Sequence, residues 1–147
     1  MAKYRLNDYM HYPVRYGVDS ETNAATAYFR DFDATTSADT SEQISAVAKD
    51  WLTLSGMVCP RNHELIPPGS KPQKGEEVIS LPPALAAKFV LRNVMTSQNL
   101  RPADLARKLG MSSQSVNALL DVYRDGTRFD AIWKALNACG ASIEILD

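Results

Sequence analysis

The chain has 147 residues, 45% hydrophobic and 22% charged, with a formal net charge of −1; these are globular values, and no repeat or low-complexity tract interrupts them. No apolar run is long enough to span a membrane and residues 1–10 lack the apolar core of a signal peptide, so a cytoplasmic protein without a membrane partner is expected. The balance is uneven: up to Leu81 eight basic residues face eleven acidic ones, a surplus of −3, and from Pro82 onward eight face six, a surplus of +2, which suits a basic partner for the first half and a polyanion for the second.

Tyr12, Val14, Tyr16 and Val18 alternate with polar or small residues, the period of a strand. Pro13 is expected to put that strand at its own start or at a sheet edge. A turn over 19–23 leads to a return strand over 25–29, and a short third strand is expected over 34–37. Asp39 and Glu42 have capping-box spacing, opening a helix whose apolar positions are Ile44, Val47, Ala48, Trp51 and Leu52, with Gly56 as its stop. A loop rich in Pro and Gly follows, including Cys59-Pro60. A last strand at Val78, Ile79 and Leu81 ends at Pro82-Pro83, the natural boundary between domains spanning 1–81 and 82–147.

Beyond Pro83 the period becomes helical, with Ala86, Phe89, Val90 and Val94 on one face. Helices are expected over 102–109, 113–123 and 128–139. A terminal strand over 141–146 is then available to pair with its copy in a dimer. Trp51 and Trp133 read as core residues, the latter with Phe129, Ile132 and Leu136.

The strongest signal lies between Pro102 and Leu119. Ala106 is small enough for two helices to cross steeply, Gly110 can take the positive φ that a quick reversal needs, and Ser112 or Ser113 can cap the next helix. Leu105 and Leu109 anchor the first helix; Val116, Leu119, Leu120 and Tyr123 anchor the second. Ser113, Gln114, Asn117 and Ala118 then face outward. Gln and Asn can bond an adenine edge bidentately, Ser can bond several bases and Ala can touch a thymine methyl. Arg101, Lys108, Arg124 and Arg128 flank this set and can hold phosphates. The segment therefore reads as a DNA-binding helix-turn-helix.

Taken in order, these pieces resemble the helix-turn-helix subgroup of the HicB antitoxins of type II toxin–antitoxin pairs. The resemblance rests on Tyr12-Pro13-Val14, Phe29-Arg30-Asp31, Asp39-Thr40, Ala46-Val47-Ala48-Lys49-Asp50 and Glu64-Leu65-Ile66-Pro67. Leu81-Pro82, Leu105 to Gly110 and Thr127 to Ala131 complete it. It implies an α+β protein with a partial RNase H-like N-terminal domain and an all-α helix-turn-helix domain ending in a short strand. It further implies a small basic HicA toxin, an mRNA-cutting enzyme, as partner, a homodimer or tetramer, and repression of the pair's own operon through double-stranded operator DNA. The chain departs from the family in having Arg30 where an aromatic-Pro-Asp run is usual, Ala38 rather than Gly before Asp39, and an extension of eleven residues at its start.

Other chemistry is weaker in the sequence. Asp19, Glu21, Asp31 and Asp33 could be imagined around Mg²⁺, but the first two fall in a turn and the others at a strand end. Asp31, Phe32 and Asp33 are instead the candidate toxin contacts, as exposed charge beside an aromatic. Cys59 and His63 lack the second pair that a zinc site needs, His11 being the other histidine, and Cys59 and Cys139 read as reduced thiols. No phosphate loop or nucleophile motif occurs, so neither an enzyme nor a cofactor is expected. The alternative function is a stand-alone repressor whose N-terminal domain senses a small molecule.

Overall fold

The computed structural model describes residues 2–145. The elements, in order, are β1 (Ala2–Arg5), a short 3-10 helix (Leu6–Tyr9), β2 (His11–Val18), β3 (Ala25–Phe29), β4 (Ala34–Ala38), α1 (Ile44–Arg61) and β5 (Glu77–Ser80), followed by α2 (Pro83–Ser97), α3 (Pro102–Leu109), α4 (Ser113–Leu120), α5 (Phe129–Ala138) and β6 (Ala141–Glu144). The protein is α+β, with its larger sheet before Pro82 and, among the described residues, four of the five α-helices after it. The terminal strand ends sooner than its alternation suggests, and Leu146 lies outside the described residues.

Four strands form an antiparallel sheet in the order β4-β3-β2-β5. Tyr12 and Val14 of β2 and Ala25, Ala27 and Phe29 of β3 are buried, as alternation requires. Pro13 overturns its expected edge position, because β2 is an interior strand. Its first half pairs with β5, with Pro13 opposite Val78, and its second half pairs with β3 from Arg15 onward. Leu81 N–H donates to Met10 O at 2.7 Å. Hydrogen-bonded pairs alternate from there, so the Pro13 nitrogen faces away from β5, where β3 has already ended. The missing donor breaks no ladder bond.

Helix α1 starts later and ends later than its sequence signals. Asp39 does not cap it: the N-terminal flanking residue is Gln43, with no side-chain cap. Glu42 instead bonds back to the turn at Thr40 and to Asn23. Gly56 does not stop the helix either. A Cβ there would come within 2.4 Å of Phe89 Cε1 and 2.9 Å of Val122 Cγ1, so glycine is what lets α2 and the segment after α4 close on α1. Cys59-Pro60, read as loop, forms the last turn. Termination comes two residues past Arg61, where His63 takes φ 57°. Its N–H bonds Pro60 O at 3.0 Å and Glu64 N–H bonds Cys59 O at 2.9 Å, a Schellman closure with His63 in the usual glycine place.

Helix α2 is buried on almost every side: beyond the expected Ala86, Phe89, Val90 and Val94 it also buries Ala87, Lys88, Leu91, Asn93 and Met95. One apolar cluster runs from Leu6 through α2 to Ile143. Asn93 pairs with a single loop residue as a strand would, accepting Ile66 N–H at 2.7 Å and donating to Ile66 O at 2.8 Å. The rest of the 62–76 loop is pinned by Tyr12 Oη donating to Pro67 O at 2.7 Å and Gly69 N–H donating to Asp8 O at 2.6 Å.

The extension is structured over residues 2–11. β1 pairs in parallel with β6, Ala2 to Ala141 through Arg5 to Glu144, and Leu6 and Tyr9 enter the core. The terminal strand thus has a partner within its own chain.

Candidate functional site

The helix-turn-helix forms where the sequence places it. Arg101 flanks α3 and Asp104, three residues on, reaches back to it, its Oδ2 accepting Arg101 N–H at 2.8 Å and its other oxygen engaging Arg107. These bonds hold the Asp104 carboxyl below its usual range, the Arg101 backbone N–H being the largest cause. Gly110 takes φ 64°, and Met111 N–H returns to Ala106 O at 3.0 Å. Ser112 Oγ then accepts Ser115 N–H at 3.1 Å, starting α4. Ala106, Leu105, Val116, Leu119 and Leu120 are buried between the helices.

Ser113, Gln114 and Asn117 stand exposed on the first turns of α4, and Ala118 is half-buried. The helix is shorter than its apolar period suggests. It ends at Leu120 because Asp121 turns extended and its Oδ1 accepts Tyr123 N–H at 3.0 Å. Tyr123 therefore does not anchor α4 from beneath: it is 49% exposed, with its hydroxyl on Asp50 Oδ1 of α1 at 3.0 Å. Trp133 is likewise not core. It is 38% exposed, while Ile132 and Leu136 carry the buried face of α5.

The sequence offers no signal for what holds the end of α4. Lys88, a buried residue of α2, donates to Asp121 O at 2.6 Å and to Arg124 O at 3.3 Å. A cation here satisfies carbonyls left open by the helix end and opposes its dipole. Of the four flanking cations, Arg101 bonds Asp104 at 3.4 Å and Arg128 bonds Asp130 at 3.3 Å. Lys108 and Arg124 make no ion pair among the described residues and are exposed.

The turn after β3 carries the other candidates. Asp31 accepts Ser70 N–H at 2.9 Å and also engages the Ser70 hydroxyl, so it ties the 62–76 loop to the sheet. Beside it, the unexpected Arg30 grips Glu76 through two bonds, at 3.2 and 3.1 Å, and reaches Lys71 O at 3.0 Å. Asp33 is exposed at φ 47° and accepts Tyr28 Oη–H at 2.9 Å. Phe32 does not project as a free aromatic. Its ring packs 5.6 Å from Tyr12, 6.1 Å from Phe29 and 5.2 Å from Trp51, measured between centroids, and Trp51 stacks on Phe29 at 4.9 Å. An exposed apolar pair that the sequence reading missed, Leu54 and Val58, lies one helical turn apart on α1.

The four acids imagined around Mg²⁺ are not gathered into one site. Asp19 caps its own turn, accepting Glu21 N–H at 2.8 Å, and no group of three His, Cys, Asp or Glu able to hold a metal occurs among the described residues. Cys59 and Cys139 are both free, each thiol pushed up by burial. No helix is long and apolar enough to cross a membrane among the described residues.

Residues 11–90 match the model of a family described as the HicB-like antitoxin of bacterial toxin–antitoxin systems. The chain belongs to the HicB-like antitoxin family. It is 34% identical to Antitoxin HicB 2 of Photorhabdus laumondii over 93% of its own length and 96% of that protein. Antitoxin HicB of Escherichia coli K12 is 26% identical over 93% of this chain and 99% of the relative. Membership places this HicB-like chain on the antitoxin side of a toxin–antitoxin system, with a toxin as its implied partner and a regulatory rather than a catalytic role. The family match itself stops at Val90, before the helix-turn-helix.

Proposed function

We propose that this antitoxin binds and inhibits a cognate HicA-type, mRNA-cleaving toxin and represses its own operon by binding operator DNA. The observation that carries the second half is the capped α3–α4 pair presenting Ser113, Gln114 and Asn117 at the start of the second helix, where a major-groove reader needs its base contacts. Lys108 and Arg124, exposed and unpaired with any carboxylate among the described residues, suit flanking phosphates.

The family match, together with the −3 balance of residues 1–81, supports the first half, because a toxin that handles RNA is expected to be basic. Residues 1–81 form the toxin-binding unit in this reading and 82–147 the DNA-binding and dimerising unit. Both roles belong in the cytoplasm. Two-fold operators call for a homodimer, or for a tetramer made of two such dimers. The outer edge of β6, the exposed Trp133 and the exposed Ile145 offer surface for such pairing.

A gel-shift titration of the DNA upstream of the gene, against a scrambled duplex of equal length, tests the repressor half. Preferential binding that weakens in Gln114→Ala and Asn117→Ala supports it; equal affinity for both duplexes refutes it.

A further inference from the structure

Where the last turn of α1, the C-terminal half of α2 and the start of α3 converge, a cleft of about 320 Å³ opens to solvent. Arg61, His63, Arg92 and Arg101 line it, over a floor that includes Met57 and Met95, and no acidic residue takes part. Three arginines, from α1, from α2 and from the residue that opens α3, thus line one concavity, and the one carboxylate bonded to any of them, Asp104 on Arg101, is not part of its lining.

Arg92 is the informative member. Its Nε is buried, has no hydrogen-bond partner, and the residue forms no ion pair among the described residues. Burial alone pushes its guanidinium below the usual arginine range. An unpaired buried donor on a charged group is costly, and proteins keep such groups where something completes them. Arg101 is only partly committed, to Asp104 at 3.4 Å, and 78% of its side chain is exposed. Asn99 adds a neutral amide to the wall, whereas the Thr96 hydroxyl is spent on Arg92 O at 2.9 Å.

We propose that this cleft is an oxyanion site that takes a phosphate group, with the half-buried Arg92 as its inner cation and Arg61 and Arg101 closing over the outer oxygens. A tetrahedral phosphate offers several acceptor oxygens and up to two charges, which matches a convergent set of arginines better than a single carboxylate does. The phosphate comes either from a small phosphoanion in solution or from a DNA backbone. The site stands without the DNA reading, which only the second arm of its test invokes.

The full chain labelled with ¹⁵N shows the Arg92 Nε–Hε signal directly, assigned by its loss in Arg92→Lys. Titration with inorganic phosphate, ionic strength held constant with chloride, is expected to move that signal along a saturating curve. Arg92→Gln is expected to weaken the binding roughly tenfold or more, read from the backbone amides of residues 96–101. Arg61→Gln, at an exposed position, gives the same reading in part should Arg92→Gln fold poorly. An unmoved Arg92 signal, or both variants binding phosphate as the parent does, overturns the proposal. A short mixed-sequence duplex then separates the two sources. If it moves the Arg92 signal and displaces phosphate, the group is a backbone phosphate; if phosphate alone moves the signal, it is a small phosphoanion. Either outcome keeps the site.

Discussion

Lys88 Nζ lies 2.6 Å from the carbonyl oxygen of Asp121, and this bond joins the central buried helix to the end of the helix that carries the outward polar set. The Lys88 residue is only 2% exposed, so its ammonium has few alternatives to the carbonyls of Asp121 and Arg124. Lys88→Met keeps the stem and removes the charge. It is expected to destabilise the protein by about 1.5–3 kcal/mol, read by urea unfolding. Operator affinity should fall further than that loss explains if the end of α4 loosens.

Asn93→Leu should cost roughly 3 kcal/mol, because it orphans both the N–H and the carbonyl of the buried Ile66. The same denaturation experiment reads it. Asn93→Asp keeps the acceptor for Ile66 N–H but sets a buried carboxylate against Ile66 O, so at neutral pH it should cost at least as much.

Gly56→Ala tests packing against propensity. Alanine favours a helix by about 1 kcal/mol over glycine, but its Cβ would press on the fully buried Phe89 ring at 2.4 Å. Overpacking of this kind costs about 1–3 kcal/mol, so the net effect should be destabilising. Phe89→Leu, itself destabilising, should cost less on the Gly56→Ala background than on the parent, so the two losses should be less than additive in a double-mutant cycle.

These two residues also show what the sequence could and could not disclose. The α3–α4 pair is legible because its Ala106, Gly110 and Ser112 act locally, each through its own backbone or its contact one turn away. Gly56 and Asp39 mislead for the opposite reason. The residue that makes Gly56 necessary, Phe89, lies 33 positions along the chain, and no local rule anticipates it. The β1–β6 pairing, Lys88 on Asp121 and Arg30 on Glu76 are long-range in the same way. Tyr123 and Trp133 continue an apolar period past the point where the core ends, so periodicity overstates their burial. The cleft around Arg92 gathers residues from three helices and left no motif to find.

Acid should weaken the protein through Glu76. Its bonds from Arg30, the largest cause, and from the Gln73 backbone hold its folded value below the ordinary 4.5. A depressed carboxylate contributes stability that is present above the unfolded value and is lost as pH falls through the folded one. Melting temperature measured from about pH 6 down to about pH 3 should therefore drop below pH 4.5. Glu76→Gln should flatten that limb while lowering stability at neutral pH; an unchanged acid limb would remove Glu76 from this role.

On DNA, Gln114→Ala and Asn117→Ala should each cost about 1–3 kcal/mol at the specific site and little on random duplex. Lys108→Ala should weaken both alike and reduce the salt slope by about one. Gel shifts at two or more salt concentrations distinguish the two behaviours.

The antitoxin role is tested most directly by expressing this chain together with the small open reading frame beside its gene, then purifying through a tag on one partner and sizing the product. A stable co-eluting complex, with growth restored to cells that the neighbouring product alone arrests, is the predicted result. Arrest that this chain does not relieve, with the two proteins eluting apart, would contradict it.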